Sequence, residues 1–186
     1  MKPVLVVCLL VAATFSSAQS AAPAAKTPTA APTKDPVSSS LRILIQRSQT
    51  NIVGAVEAMP ADKFSYKPTP DQMTFVHLVV HIIGSNNTLC SKVADVPAPK
   101  ADEPKETDSK EQLVAATKAS FAFCNEALAK MDDSKLGDDV ELFGGRHFPR
   151  AMGALGLASG WADHYGAAAM YLRLNGILPP SAQPKH

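Results

Sequence analysis

The chain has 186 residues, 46% of them apolar, with 18 basic and 17 acidic side chains and a formal charge of +1. So even a balance, without a basic stripe, argues against a nucleic-acid partner, whose phosphates would call for clustered Lys and Arg.

The N-terminus sets the expected compartment. Lys2 precedes an apolar run, Val4 to Phe15, and the small residues Ser16, Ser17 and Ala18 then fit a cleavage site before Gln19. The run falls short of the roughly 20 residues that a membrane span needs, so no stable membrane anchor is expected. Cys8 lies inside the run, too early to be a lipid-attachment site. Residues 1–18 therefore read as a signal peptide, and the protein as exported, periplasmic or secreted. Residues 19–36, QSAAPAAKTPTAAPTKDP, carry no large apolar side chain to offset the entropy of ordering, and read as a disordered linker. Residues 37–181 remain for a single domain with its own core, followed by a short tail, 182–186.

Four segments have helical periodicity. In the first, Leu41, Ile45, Ser48, Ile52, Val56 and Met59 recur at steps of three and four, and Pro60 ends the stripe. Residues 61–68 are expected to be extended or turn-like, because Pro68 and Pro70 bias their predecessors away from helix. Thr69-Pro70-Asp71-Gln72 has the form of a capping box and predicts the start of a second helix running to about Cys90, with Phe75, Leu78, Ile82 and Leu89 on its apolar side. The charged, proline-rich stretch 92–110 is too long for a tight turn and reads as a surface crossover.

Asp108 with Glu111 predicts the cap of a third helix, whose stripe is Leu113, Thr117, Phe121, Cys124, Leu128 and Met131. Residues 133–149 are irregular, with Gly144-Gly145 suited to a tight turn or small hairpin. A fourth helix begins near Pro149 and closes at Asn175-Gly176. Four amphipathic helices predict an all-α four-helix bundle, its long second connection allowing helices 2 and 3 to run parallel. Cys90 and Cys124 would then lie within about one turn of the same height, close enough for a disulfide, or else as two buried thiols filling the core.

His77 and His81, four residues apart, share a helix face and form a pair that can hold a divalent metal, or simply a solvated and a half-buried side chain. On the fourth helix Gly153, Gly156, Gly160, His164, Ala167 and Tyr171 fall on one face. Such a face admits either a closely packed neighbour or a cavity capped by His164. There is no G-x-S-x-G nucleophile elbow.

Several segments together resemble the DinB-like family: residues 57–82 with the run M-P-x-x-K-x-x-x-x-P-T-P-x-Q, FAFCNEAL (121–128), LFGGRHFPRA (142–151), and residues 163–181 with H-Y-G-x-x-x-x-Y-L-R-L-N-G. The likeness covers residues 40–181 and is greatest to exported bacterial members. It implies a four-helix bundle with parallel helices 2 and 3 and a divalent metal, zinc or nickel, held by three histidines. Two of these fall on His81 and His164. The third falls on Gly160, which has no side chain to coordinate with. Relatives in the family include thiol-dependent transferases and isomerases. Here two readings stand. One is a binding module for a small ligand or partner, with a degenerate metal site and metal binding weak or absent. The other is a metal-dependent transferase or hydrolase in which His77 completes the His81/His164 set. Pairing of two copies through helix faces, as a homodimer, is compatible with either.

Overall fold

The computed structural model describes residues 33–100 and 102–184. The signal-peptide expectation and most of the linker expectation lie outside these residues. The fold is an all-α four-helix bundle with one small hairpin. Its elements are α1 (Pro36–Ala58), α2 (Phe75–Ala94), α3 (Lys110–Ala129), the strands β1 (Asp139–Leu142) and β2 (Arg146–Pro149), and α4 (Arg150–Leu174), with single 3-10 turns at Ala61–Lys63, Asp133–Lys135 and Pro180–Ala182. Among the described residues, no helix is long and apolar enough to cross a membrane.

The stripes read from the sequence are the core. Leu41, Ile45, Ile52, Val56 and Met59 of the first stripe are buried, and they meet Leu78 and Ile82 of α2 and Leu113, Phe121 and Leu128 of α3 in a single cluster. A polar network sits within it. Trp161 Nε1 donates to Asn86 Oδ1 at 2.8 Å, Asn86 Nδ2 donates to Ser120 Oγ at 3.1 Å, and the Ser120 hydroxyl passes on to the Thr117 carbonyl at 2.9 Å. These bonds tie α4, α2 and α3 together while leaving none of those groups unsatisfied.

Two helix starts differ from the sequence expectation. Thr69–Gln72 forms a turn, with Gln72 N donating to the Thr69 carbonyl, and α2 begins only after Thr74, whose hydroxyl accepts from His77 N at 3.1 Å. The reason is tertiary: Phe75 N and Val76 N donate to the carbonyls of Tyr66 and Phe64, so the preceding loop already satisfies the first donors of a helix starting at Phe75. For α3 the cap is Ser109, in a reciprocal capping box with Gln112. Asp108, one residue earlier, accepts instead from Lys105 N at 2.9 Å. At its other end α2 continues past Cys90 to Ala94, where Asp95 adopts the left-handed conformation that ends it.

These starts place Cys90 and Cys124 fifteen and fourteen residues into their helices, closer in height than the sequence reading gave. Asn86 and Ser120 match in the same way, so α2 and α3 run parallel. Cys90 and Cys124, both fully buried, are joined as a disulfide with Cα atoms 5.2 Å apart. The crossover between these helices is residues 95–109.

Candidate functional site

The site is a cleft of about 590 Å³ between α2 and α4, closed on one side by the tip of the β1–β2 hairpin. The helices are antiparallel here: His81 faces His164 at one end, while at the other Arg150 Nη1 donates to the carbonyls of Lys92 and Val93 at 2.9 and 3.2 Å. Arg150 is a buried cation that caps the carbonyl end of α2.

The glycine face of α4 turns out to serve both readings, at different positions. A Cβ on Gly153 would stand 2.6 Å from the Val93 side chain, so any larger residue there would force Val93 to shift. At Gly156 the ring of Phe143 lies 3.1 Å from the same virtual atom. Gly160 is different. A Cβ there would meet only His164 Nε2, at 3.8 Å, and would otherwise enter the cleft.

His81 and His164 meet edge to face, ring centroids 4.9 Å apart and planes at 81°. The Ser85 hydroxyl lies 3.5 Å from His81 Nε2. His164 Nδ1 is 3.5 Å from the carboxylate of Asp163, leaving Nε2 on the side of Gly160. Burial lowers the pKa of His164, and the neighbouring His81 lowers it further, against a smaller opposing pull from Asp163.

The residues present do not complete a three-ligand metal shell. His77 stands apart from the pair: it does not line the cleft, and its ring lies on an exposed face where Nδ1 meets Glu106 of the crossover at 2.7 Å. Asp163 stands beside Nδ1 of His164, not in the cleft, and Gly160 offers no donor. Among the described residues no group of three or more His, Cys, Asp or Glu is placed to hold a metal ion. A catalytic zinc normally has three protein ligands and an open position. His147 is also elsewhere, paired with Asp139 across the hairpin at 2.6 Å.

Sequence reasoning did not foresee the hairpin as a wall. Phe143, Gly144 and Gly145 all have positive φ, and this left-handed run turns the chain back so that Phe143 is laid over Gly156. Lys92 and Asn86 were likewise missed. The signal for Lys92 was there in the spacing: His81, Ser85, Leu89 and Lys92 share one helix face.

A family model described as the DinB superfamily matches residues 44–166. No curated protein matches the chain by sequence. Among solved structures, a DinB-like protein from Bacillus subtilis is similar with a TM-score of 0.63 at 19% identity, over 78% of this chain and 99% of that one. A DinB-like protein from Bacillus cereus gives a TM-score of 0.59 at 16% identity, over 81% of this chain and 95% of that one. At these identities the likeness is one of fold.

Proposed function

This chain belongs to the DinB superfamily, and from that premise we propose that it is an exported binding module whose working part is the cleft between α2 and α4 and not a metal centre. The observation that carries the reading is the cleft itself. It has the volume of a small-molecule pocket and mostly apolar walls, with a few polar groups at each end. Gly160 enlarges it where the family resemblance places a ligand, and only two imidazoles stand at that end. Export is supported by the apolar run Val4–Phe15 and by the Cys90–Cys124 disulfide, a bond that persists in oxidising compartments.

The test is metal analysis of the protein as isolated. This reading expects less than stoichiometric zinc or nickel, and no change in metal content on His77→Ala. One equivalent of metal, lost on His81→Ala or His164→Ala, would overturn this reading in favour of a metal-binding site.

A further inference from the structure

The two ends of the cleft differ: two imidazoles stand at one, and a paired Lys92 and Glu141 at the other. Along α2, His81 and Lys92 are eleven residues apart, a span of about 16 Å at the rise of an α-helix. At the far end Lys92 Nζ donates to the Glu141 carbonyl at 2.7 Å, with the Glu141 carboxylate 3.7 Å away. An anion placed there meets Glu141 and a cation meets Lys92. Between the ends the walls are mostly apolar, from Ile82, Leu89, Leu142, Phe143, Leu157 and Trp161, with the polar side chains of Ser85, Asn86 and Thr88 on α2 among them. An ion in such a setting loses its water without gaining a counter-charge. At the near end stand His81 and His164, with the Asp163 carboxylate beside His164 Nδ1, which further disfavours an anion.

An imidazole carries two ring nitrogens that can donate or accept a hydrogen bond, so His81 and His164 between them can offer both roles. The complementary group is a hydroxyl, which also donates and accepts. The volume freed at Gly160 lies against His164 Nε2, where such a group would reach the pair.

We propose that the cleft binds an uncharged, largely apolar molecule bearing a hydroxyl, of the alkylphenol or long-chain alcohol class, with the hydroxyl between His81 and His164 and the apolar body running toward Leu89 and Phe143. This rests on the cleft being the ligand site. Trp161 is the only tryptophan of the chain and lines the cleft, so its fluorescence reports occupancy, with calorimetry as a second readout.

The purified protein is titrated near neutral pH with three probes of matched shape: para-butylphenol, butylbenzene and para-butylbenzoate. The phenol is expected to bind about tenfold more tightly than either of the others, the size of one well-placed hydrogen bond. His81→Leu and His164→Leu are each expected to bring the phenol down to the level of butylbenzene. Benzoate or butylbenzene binding as tightly as the phenol would overturn the proposed ligand class and leave the cleft standing as a ligand site. A phenol preference that survives both substitutions would overturn the placement of the hydroxyl. No binding of any probe by either readout would overturn both the ligand class and the cleft as a site.

Discussion

His81 on α2 and His164 on α4 hold their rings edge to face at 4.9 Å, one helical turn from the open position at Gly160. Two imidazole rings thus already meet at this end of the cleft, with no third side-chain ligand beside them among the described residues. Gly160→His is expected to supply one. The new Cβ meets only His164 Nε2, at 3.8 Å, and histidine costs a helix interior a few tenths of a kcal/mol less than glycine, so the variant should fold at least as well as the natural protein. Zinc affinity, measured by competition with a chromogenic chelator, should rise by about 100-fold or more as the shell reaches three protein ligands. An affinity equal to that of the natural protein would mean that the two rings do not converge on the gap.

The lowered pKa of His164 predicts a pH dependence of stability with a definite sign. Burial, and secondarily His81, disfavour its protonation in the fold, whereas the unfolded chain takes up the proton near the ordinary value of 6.5. The unfolded state therefore binds more protons in that range, and stability rises with pH. The contribution is present above 6.5 and is lost as pH falls through the folded pKa below it. The urea midpoint of the natural protein should drop between about pH 7.5 and 5.5 more than that of His164→Gln. Parallel profiles for the two proteins would contradict this.

What the sequence made legible were the local patterns. Leu41, Ile45, Ile52 and Val56 are spaced for one helix face and all four are buried. Pro149 and Asn175-Gly176 bracket α4 because caps act within a turn of their helix. The choice between Thr69 and Thr74 was not local, since the carbonyls of Phe64 and Tyr66 decide it. Nor was the wall of the cleft, because Phe143 reaches Gly156 through a fold of the chain that no helical period encodes. His81 was singled out by its spacing from His77 and His164 by the glycine face, and only family likeness joined the two; their facing each other depends on how two helices 83 positions apart pack, about 83 residues being far beyond any local pattern.

The Cys90–Cys124 bond spans 34 residues, including the proline-rich crossover. Closing a loop of that length restricts the unfolded chain enough to stabilise the fold by about 3–4 kcal/mol in the chain-entropy account. The Cys90→Ala/Cys124→Ala double variant should lose about that much in urea unfolding, and reductant should lower the natural protein's midpoint but leave the variant's unchanged. Two titratable thiols in the unfolded, unreduced protein would rule the bond out.

The start of α1 is capped from a distance. Asp35, its N-cap residue, is in the left-handed conformation and makes no side-chain cap bond. Asp133, in the turn after α3, does that work: its carboxylate accepts from Val37 N at 2.9 Å, from Ser38 N at 2.8 Å and from the Ser38 hydroxyl at 2.5 Å. In return Asp133 N donates to Asp35 Oδ1 at 3.2 Å, so the two segments clasp each other. Burial pushes the pKa of Asp133 up, but the Ser38 hydroxyl and the backbone donors of Ser38 and Val37 together outweigh it and hold the pKa below the ordinary 3.8. The negative charge also suits a helix N-terminus. A depressed folded pKa gives stability that is present above 3.8 and disappears as pH falls through the folded value. Asp133→Ala should therefore lower the urea midpoint at neutral pH, with Asp133→Asn intermediate, since it keeps an accepting oxygen but loses the charge. The gap between the natural protein and Asp133→Asn should close on acidification below about pH 3.8, because protonation also removes the charge from the natural carboxylate. A gap that stays constant to low pH would show that the loss comes from packing of the turn and not from the ionised cap.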